Sequence, residues 1–173
     1  MYITMYNSES IQEEILTWMK DFVEKPNPLL KNWAPCPYAR QARIADKIKI
    51  YWSDQSDIQN VISTSLMQLE DNDAVIIAFD HNLIDPRELA DKVNDWNKNW
   101  LMPLDFVLLE DHPDTIEHVN GVHMNFGKCG LIIVQRLSEL NQASEKLKEK
   151  GYYDTWSEDD LNFVVNWRYH ERK

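Results

Sequence analysis

The chain has 173 residues, of which 43% are hydrophobic and 27% charged, and a formal net charge of −11. Its seven tryptophans, seven tyrosines and five phenylalanines exclude an intrinsically disordered chain, and the length predicts a single domain over residues 1–173. The acidic balance argues against a nucleic-acid binder and against a protein of anionic membrane surfaces, because both need clustered lysines and arginines.

Two cysteines, Cys36 and Cys129, are too few for a disulfide framework. The first residues lack the basic and apolar segments of a secretory signal, and no apolar run is long enough to span a membrane. We therefore expect a cytoplasmic protein with reduced thiols. A protein partner and a small molecule both stay open as binding partners, and the sequence identifies no cofactor.

The first helix is predicted to begin at a capping box formed by Ser10 and Glu13, and to end before Pro26. From there to Arg43 the chain shows neither a helix nor a strand pattern. Three elements follow, namely an alternating strand, a helix opened by Asp54 and Asp57, and a continuous apolar strand: 47–52, 54–69 and 74–79.

The clearest helix start is Asp85, because Pro86 stands in the first turn and Glu88 at the third position. The elements after that helix are a strand, a long loop, a strand, a helix capped by Ser138 and a helix opened by Ser157: 104–109, 110–129, 130–135, 138–150 and 157–168. The basic residues from Arg168 onwards suit a helix C-terminus through the helix dipole and need no partner. The tryptophans, Trp156 among them, are predicted to lie in the core.

This order, α-β-α-β-α-β-β-α-α, predicts an α/β fold with a four-stranded mixed sheet flanked by helices. Two arrangements are compatible with it. In one, the first three strands run parallel. In the other, which is thioredoxin-like, strands three and four oppose the first two, and Pro103 stands where that fold has a cis-proline. The long loop before strand four argues against the second arrangement.

Cys36 is the first candidate site residue, because prolines on both sides fix its local backbone. Arg40 and Arg43 are close in sequence, and a nearby cation lowers the pKa of a thiol and makes it a better nucleophile. The simpler interpretation is a buried cysteine packed against Trp33 and Tyr38, since free cysteine is among the most buried residue types.

The ends of the second and third strands carry the second candidate site. Ligands in open α/β sheets bind beyond the carboxyl ends of parallel strands. If the first three strands are parallel, six polar residues share one edge: Ser53, Asp54, Asp80, His81, Asp111 and His112. Imidazoles with carboxylates bind divalent metals or transfer protons. The simpler interpretation is ordinary turn chemistry, in which aspartate follows a strand.

The long loop supplies a third candidate, a zinc site formed by His112, His118, His123 and Cys129. Four such ligands are enough for zinc, but their spacing matches no zinc finger, whose ligands come in tight pairs. A long loop is also typical of a binding loop without any metal.

Two segments, 35–39 (Pro-Cys-Pro-Tyr-Ala) and 111–114 (Asp-His-Pro-Asp), carry a resemblance to a family of uncharacterised bacterial proteins, a domain of unknown function. Its members have an N-terminal amphipathic helix, a Leu-Cys-Pro-Phe-Ala motif, alternating strands and helices, and a His-Pro pair after a later strand. This chain departs from the pattern with Ala34-Pro35 before the cysteine. The resemblance implies no activity, but it implies that Cys36 and His112 lie together.

Three hypotheses follow from these residues. The first is a thiol-dependent enzyme or ligand-binding site in which Cys36 is nucleophile or ligand and His112 its base, with Asp111, His118 and His123 as binding residues. The second is a non-catalytic, acidic module that binds a protein partner through the loop at 111–129. The third is metal-dependent chemistry at the sheet edge, with the metal unspecified.

Overall fold

The computed structural model describes residues 8–54 and 56–169, and these residues form six strands. The strands are β1 Ile48–Ser53, β2 Ala74–Phe79, β3 Phe106–Asp111, β4 His118–Val119, β5 Val122–His123 and β6 Gly130–Arg136. The four predicted strands are confirmed, although the third begins two residues later than expected because Met102–Leu104 forms a 3₁₀ turn. The two-residue strands β4 and β5 form a small hairpin that the sequence pattern did not indicate.

The main sheet has the order β1-β2-β6-β3. β1 and β2 are parallel, and β6 is antiparallel to both β2 and β3, so β1, β2 and β3 all run in the same direction. The arrangement with three parallel strands is therefore confirmed. The thioredoxin-like alternative does not describe this sheet, because it requires strand three to oppose the first two, and the described residues contain no cis peptide bond at Pro103.

Six α-helices lie in the described residues: α1 Ser8–Trp18, α2 Ala39–Ile44, α3 Ile58–Ser65, α4 Pro86–Trp96, α5 Leu137–Glu149 and α6 Glu158–Val164. Helices α1 and α4 each continue into a π-helical turn, over Met19–Val23 and Asn97–Leu101. Five helices were predicted. The sixth, α2, lies in the segment before Arg43 that the proline-rich sequence made look irregular.

Most of the predicted helix starts are confirmed by their caps. Asp57 accepts a hydrogen bond from the backbone N–H of Asn60 at 3.2 Å. Asp85 accepts one from Arg87 at 2.9 Å and one from Glu88 at 3.3 Å. Ser157 accepts one from Asp160 at 3.0 Å. Two predicted caps are wrong. Ser10 lies inside α1, which already begins at Ser8. Ser138 lies inside α5, where Asp105, the residue directly before β3, accepts its backbone N–H at 2.9 Å.

The sheet is covered on both faces, as its continuous apolar strand predicts. In β2, the side chains of Val75, Ile77 and Phe79 pack with α3 and α4, whereas those of Ile76 and Ala78 pack with α1 and α2. This alternation follows from the two-residue period of a strand. All six residues of β2 are buried, which places this strand at the centre of the core.

The topology brings the carboxyl ends of β1, β2 and β3 to one edge of the sheet. Ser53 pairs with Phe79, Phe79 with Gly130, and Asp111 with Leu131, so the last residues of the parallel strands lie at the level where β6 begins.

Within the described residues no helix combines the length and the apolar character needed to cross a bilayer.

Candidate functional site

The predicted meeting of strand ends is present in the structure. β2 is followed by Asp80 and His81, and β3 ends at Asp111, with His112 next. The rings of His81 and His112 lie edge to face, with centroids 5.7 Å apart. We call these four residues, together with Glu110 and Glu117, the sheet edge.

His112 is held by main-chain groups on both sides of its ring, and its residue is only 2% exposed. Its Nε2 lies 3.1 Å from the carbonyl oxygens of His81 and of Ile84, and its Nδ1 accepts the backbone N–H of Asp114 at 3.1 Å. Carbonyl oxygens only accept, so Nε2 carries the proton. Both ring nitrogens are thus engaged, and His112 fixes the loop after β2 to the loop after β3.

Asp111 organises the long loop from inside. One carboxylate oxygen accepts the side-chain N–H of Asn125 at 2.9 Å, and the other accepts the backbone N–H of Phe126 at 2.8 Å. Asn125 in turn accepts the backbone N–H of Glu117 at 2.8 Å and donates to Thr115 at 2.7 Å. Burial raises the pKa of Asp111, and these hydrogen bonds oppose the rise. The network explains why a loop of this length has a fixed shape.

Glu117 is a sheet-edge residue whose chemistry sequence reasoning missed. Burial, followed by the charges of Asp111 and Glu110, raises the pKa of its carboxyl group to about 7. A carboxyl that titrates near neutral pH is able to act as a general acid or base. No local pattern marks it, because its neighbours come from β3 and are brought close only by the β4–β5 hairpin.

The four predicted zinc ligands are not assembled. His118 and His123 face each other across the hairpin, with ring centroids 5.3 Å apart, and both are exposed. Cys129 is 1% exposed and lies in the core, where burial raises the pKa of its thiol to about 12. Over residues 8–54 and 56–169, no group of three or more His, Cys, Asp or Glu side chains is placed to hold a metal ion.

Cys36 lies in a loop that is tied to two distant parts of the chain. Its backbone N–H donates to Val23 at 3.0 Å, and the Tyr152 hydroxyl donates to the carbonyl oxygen of Pro35 at 2.7 Å. The residue is exposed as a whole, yet burial raises the pKa of its thiol against the effect of backbone N–H groups of Tyr38 and Ala39. Both facts hold if the exposed area is main chain and the sulfur points inward.

Two tyrosines that pack against each other are electrostatically coupled to the Cys36 thiol. Burial raises the pKa values of Tyr152 and Tyr153, and the charge of a Cys36 thiolate adds to the rise at both, as the charge of Tyr38 does at Tyr153. Both phenols therefore lie within electrostatic range of Cys36. The Trp156 ring lies 5.3 Å from that of Tyr152 and 5.0 Å from that of Tyr153. We call Cys36, Tyr38, Tyr152, Tyr153 and Trp156 the Cys36 cluster.

Two polar atoms of this cluster are buried without a hydrogen-bond partner among the described residues, the Tyr38 hydroxyl and the Trp156 Nε1. An open groove of about 390 Å³ lies beside the cluster, and its lining residues are Pro37, Arg40, Gln41, Ile44 and Ala45. Trp156 was predicted to be a core tryptophan. Its ring packs against Tyr152 and Tyr153, but its N–H has no hydrogen-bond partner among the described residues.

The structure does not bring Cys36 and His112 into contact. Cys36 lies against Val23 and close to the other members of the Cys36 cluster. His112 lies against His81, Ile84 and Asp114. Both ring nitrogens of His112 are already occupied by main-chain groups, so it has none to offer the thiol. A joint catalytic role for the two residues stays a prediction that no contact supports.

No protein family, no curated protein and no solved structure matches the chain. The resemblance to the bacterial family with the Cys-Pro-Phe-Ala motif therefore stays a prediction.

Proposed function

We propose that this protein binds a small polar molecule at the Cys36 cluster. The observation that carries the proposal is the pair of buried, unpartnered polar atoms, the Tyr38 hydroxyl and the Trp156 Nε1, in one aromatic cluster. Leaving such a group buried without a partner costs about 1–3 kcal/mol, so a ligand that supplies the partner recovers that energy on binding. Aromatic walls with a few convergent polar groups are typical of small-molecule sites.

The same surroundings favour binding over nucleophilic catalysis by Cys36. Burial raises the pKa of the thiol, and no imidazole of the described residues is among the groups that act on it. A protonated thiol is a weak hydrogen-bond donor and a soft packing surface, which suits a binding site. Both cysteines are free, which fits the reducing, cytoplasmic location that we keep as part of this proposal.

A fragment titration tests the proposal. A library of small neutral and anionic fragments is added to the isotope-labelled protein, and the indole N–H of Trp156 is followed by NMR. We expect some fragments to shift this signal, and we expect Trp156→Phe to weaken their binding by about tenfold, the loss of one hydrogen bond. Trp100→Phe, in the core on the opposite face of the sheet, serves as the matched control. A library without any fragment that shifts Trp156 would sink the proposal.

A second candidate function is acid–base chemistry at the sheet edge. It is favoured by the three parallel strands that end there and by Glu117, whose pKa of about 7 suits proton transfer at neutral pH. The negative charges of Glu110 and Asp111 would select a neutral or cationic substrate. In the same titration, shifts at Glu117 and His123 that leave Trp156 unchanged would move the site to the sheet edge.

A further inference from the structure

Arg168 is a buried cation without an acidic partner in the part of the chain that the structure describes. It lies in the 3₁₀ turn Asn166–Arg168 after α6 and is only 2% exposed. Its guanidinium donates to Ser144 Oγ at 2.8 Å and, weakly, to the Val165 carbonyl at 3.4 Å. Within the described part of the chain, no aspartate or glutamate forms an ion pair with it, and its charged or ionisable neighbours are Tyr153 and Tyr169. A guanidinium has five N–H donors, so most of them stay unused.

An uncompensated buried charge is costly, because the ion loses its hydration and gains no opposite charge in return. Arginine cannot escape this cost by losing its proton, since its pKa lies far above neutral pH. The sequence-based interpretation, a basic helix end that needs no partner, applies to an exposed side chain and does not fit a buried one. An anion bound at Arg168 would therefore compensate a charge that the described residues leave uncompensated.

Ser144 connects Arg168 to the Cys36 cluster. The serine accepts from the guanidinium and also lies in hydrogen-bond contact with the Tyr153 hydroxyl. One turn earlier on α5, Asn141 is 6% exposed and its side-chain oxygen has no hydrogen-bond partner among the described residues. Ser144 thus joins Arg168 to Tyr153, and hence to the cluster in which Tyr38 and Trp156 carry polar atoms without a partner among the described residues.

We infer that the ligand of the Cys36 cluster carries a carboxylate or a phosphate group, and that Arg168 binds it. This inference rests on the proposed function and names its ligand class. The groups that face the ligand are mainly donors: the guanidinium of Arg168, the hydroxyls of Tyr38 and Tyr153 and the indole N–H of Trp156. Guanidinium binds carboxylate and phosphate oxygens in two parallel hydrogen bonds, which is the strongest pairing open to it.

The acidic side chain that acts on the Cys36 thiol does not oppose an anion. Glu24 acts on the Cys36 thiol, but both of its carboxylate oxygens are bound by Arg43, at 2.6 and 2.9 Å. Its charge is therefore compensated inside the protein. A chain with a net charge of −11 repels anions at long range, so an anion site here requires a dedicated, desolvated cation such as Arg168.

The test compares benzoate with benzamide, which have the same shape and differ in charge, and adds inorganic phosphate as a third probe at constant ionic strength. The Nε–H signal of Arg168 and the indole signal of Trp156 are followed in the full-length protein. We expect benzoate to bind at least about tenfold more tightly than benzamide and to shift both signals, because a charge-assisted pair is stronger than a neutral one. Displacement of benzoate by phosphate would assign the site to phosphate esters, and failure of phosphate to displace it would assign the site to carboxylates.

Arg168→Lys keeps the charge but loses the two-pronged geometry, so it should weaken benzoate and leave benzamide unchanged. Arg87→Lys, on the exposed face of α4, is the matched control. The comparison of two ligands on the wild-type protein needs no variant, so a poorly folded Arg168 variant does not remove the test. Equal affinity for benzoate and benzamide, with Trp156 shifted by both, would overturn the anion inference and leave the proposed function standing. Failure of the whole fragment library to shift Trp156 would overturn both.

Discussion

Asn97 and Leu108 exchange two hydrogen bonds inside the protein: the side-chain N–H of Asn97 donates to the Leu108 carbonyl at 3.0 Å, and the Leu108 N–H donates to the side-chain oxygen at 2.8 Å. Asn97 is 3% exposed and opens the π-helical turn that follows α4. Because β3 is an edge strand, its outer backbone groups lack a neighbouring strand, and this asparagine takes that place at Leu108.

Asn97→Ala should lower the free energy of unfolding by about 3 kcal/mol, because it leaves two buried backbone groups without partners. Urea denaturation measures the change. Asn99→Ala, two residues further on an exposed face, removes only a contact with Asp95 and should change stability by less than about 0.5 kcal/mol. Equal effects of the two substitutions would contradict the bridging role of Asn97.

Gly130 begins β6 directly against the ring of Phe79, and a methyl group added there would overlap with the ring atoms. Phe79 is fully buried and cannot turn away, so Gly130→Ala should cost about 2–3 kcal/mol through overpacking. Gly127→Ala has open space around it and should cost about 1 kcal/mol, through its positive φ of 82°. Thermal unfolding should rank the two in that order, and Phe79→Leu should relieve the Gly130 variant in part. A milder loss at Gly130 than at Gly127 would rule out the steric explanation.

Local patterns predicted those parts of the fold that local forces determine. The continuous apolar run of β2 and the cap formed by Asp85 and Pro86 act over a few residues, so both were visible in the sequence. Helix α2 was missed because its proline-rich entrance resembles a loop, and the start of the N-terminal helix was predicted too late because Ser10, which fits a capping box, lies inside α1.

The candidate sites show a sharper division. The meeting of Asp80 and His81 with Asp111 and His112 was predicted for one of the two strand arrangements left open, the one with three parallel strands. The structure has that arrangement, and the His81 and His112 rings lie 5.7 Å apart. Glu117 and Arg168 owe their properties to neighbours from other elements: Glu117 to Asp111 and Glu110, Arg168 to its burial beside Ser144 and Tyr153. A carboxyl or guanidinium has the same sequence signature whether it is solvated or enclosed, so tertiary packing was needed to single these two out.

Glu117 should make the stability of the protein depend on pH. Its pKa is raised by folding from 4.5 to about 7, so the unfolded chain loses this proton first as pH rises. The stabilising effect of the protonated form is complete below about pH 4.5 and is lost as pH rises to about 7. Glu117→Gln should therefore be nearly neutral near pH 4 and should raise the free energy of unfolding by up to about 3 kcal/mol at pH 8.

Chemical denaturation of both proteins across this pH range measures the difference. Glu149→Gln, at the exposed end of α5, provides the control and should show no comparable pH dependence. A Glu117→Gln variant with the same pH profile as the wild type would show that this carboxyl titrates normally, and the second candidate function would lose its acid–base group.

His112 should matter for structure more than for proton transfer. His112→Leu leaves the carbonyl oxygens of His81 and Ile84 and the N–H of Asp114 without their partner, which should cost about 3 kcal/mol. Hydrogen exchange should speed up across the loop from 112 to 126, which the ring helps to fix. His118→Gln, on the exposed hairpin, should leave both stability and exchange in that loop unchanged. Unchanged hydrogen exchange in this loop of the His112 variant would contradict the structural role of His112 and would favour a role in proton transfer.

Cys36 should react slowly with alkylating agents. Burial raises the pKa of its thiol, so at about pH 7.5 a smaller fraction is thiolate than in a free cysteine, and only the thiolate attacks iodoacetamide. In a Cys129→Ser background we expect a rate below that of free cysteine, rising steadily through pH 9, and falling further when a fragment occupies the cluster. A Cys36→Ser protein gives the alkylation rate of Cys129 alone, which is 1% exposed and should react only on unfolding.

If Cys36 instead reacted faster than free cysteine at neutral pH, the amide groups of Tyr38 and Ala39 would have to outweigh burial in their effect on the pKa of the thiol. The cluster would then be a nucleophilic site, and the hypothesis of a thiol-dependent enzyme would regain its main support.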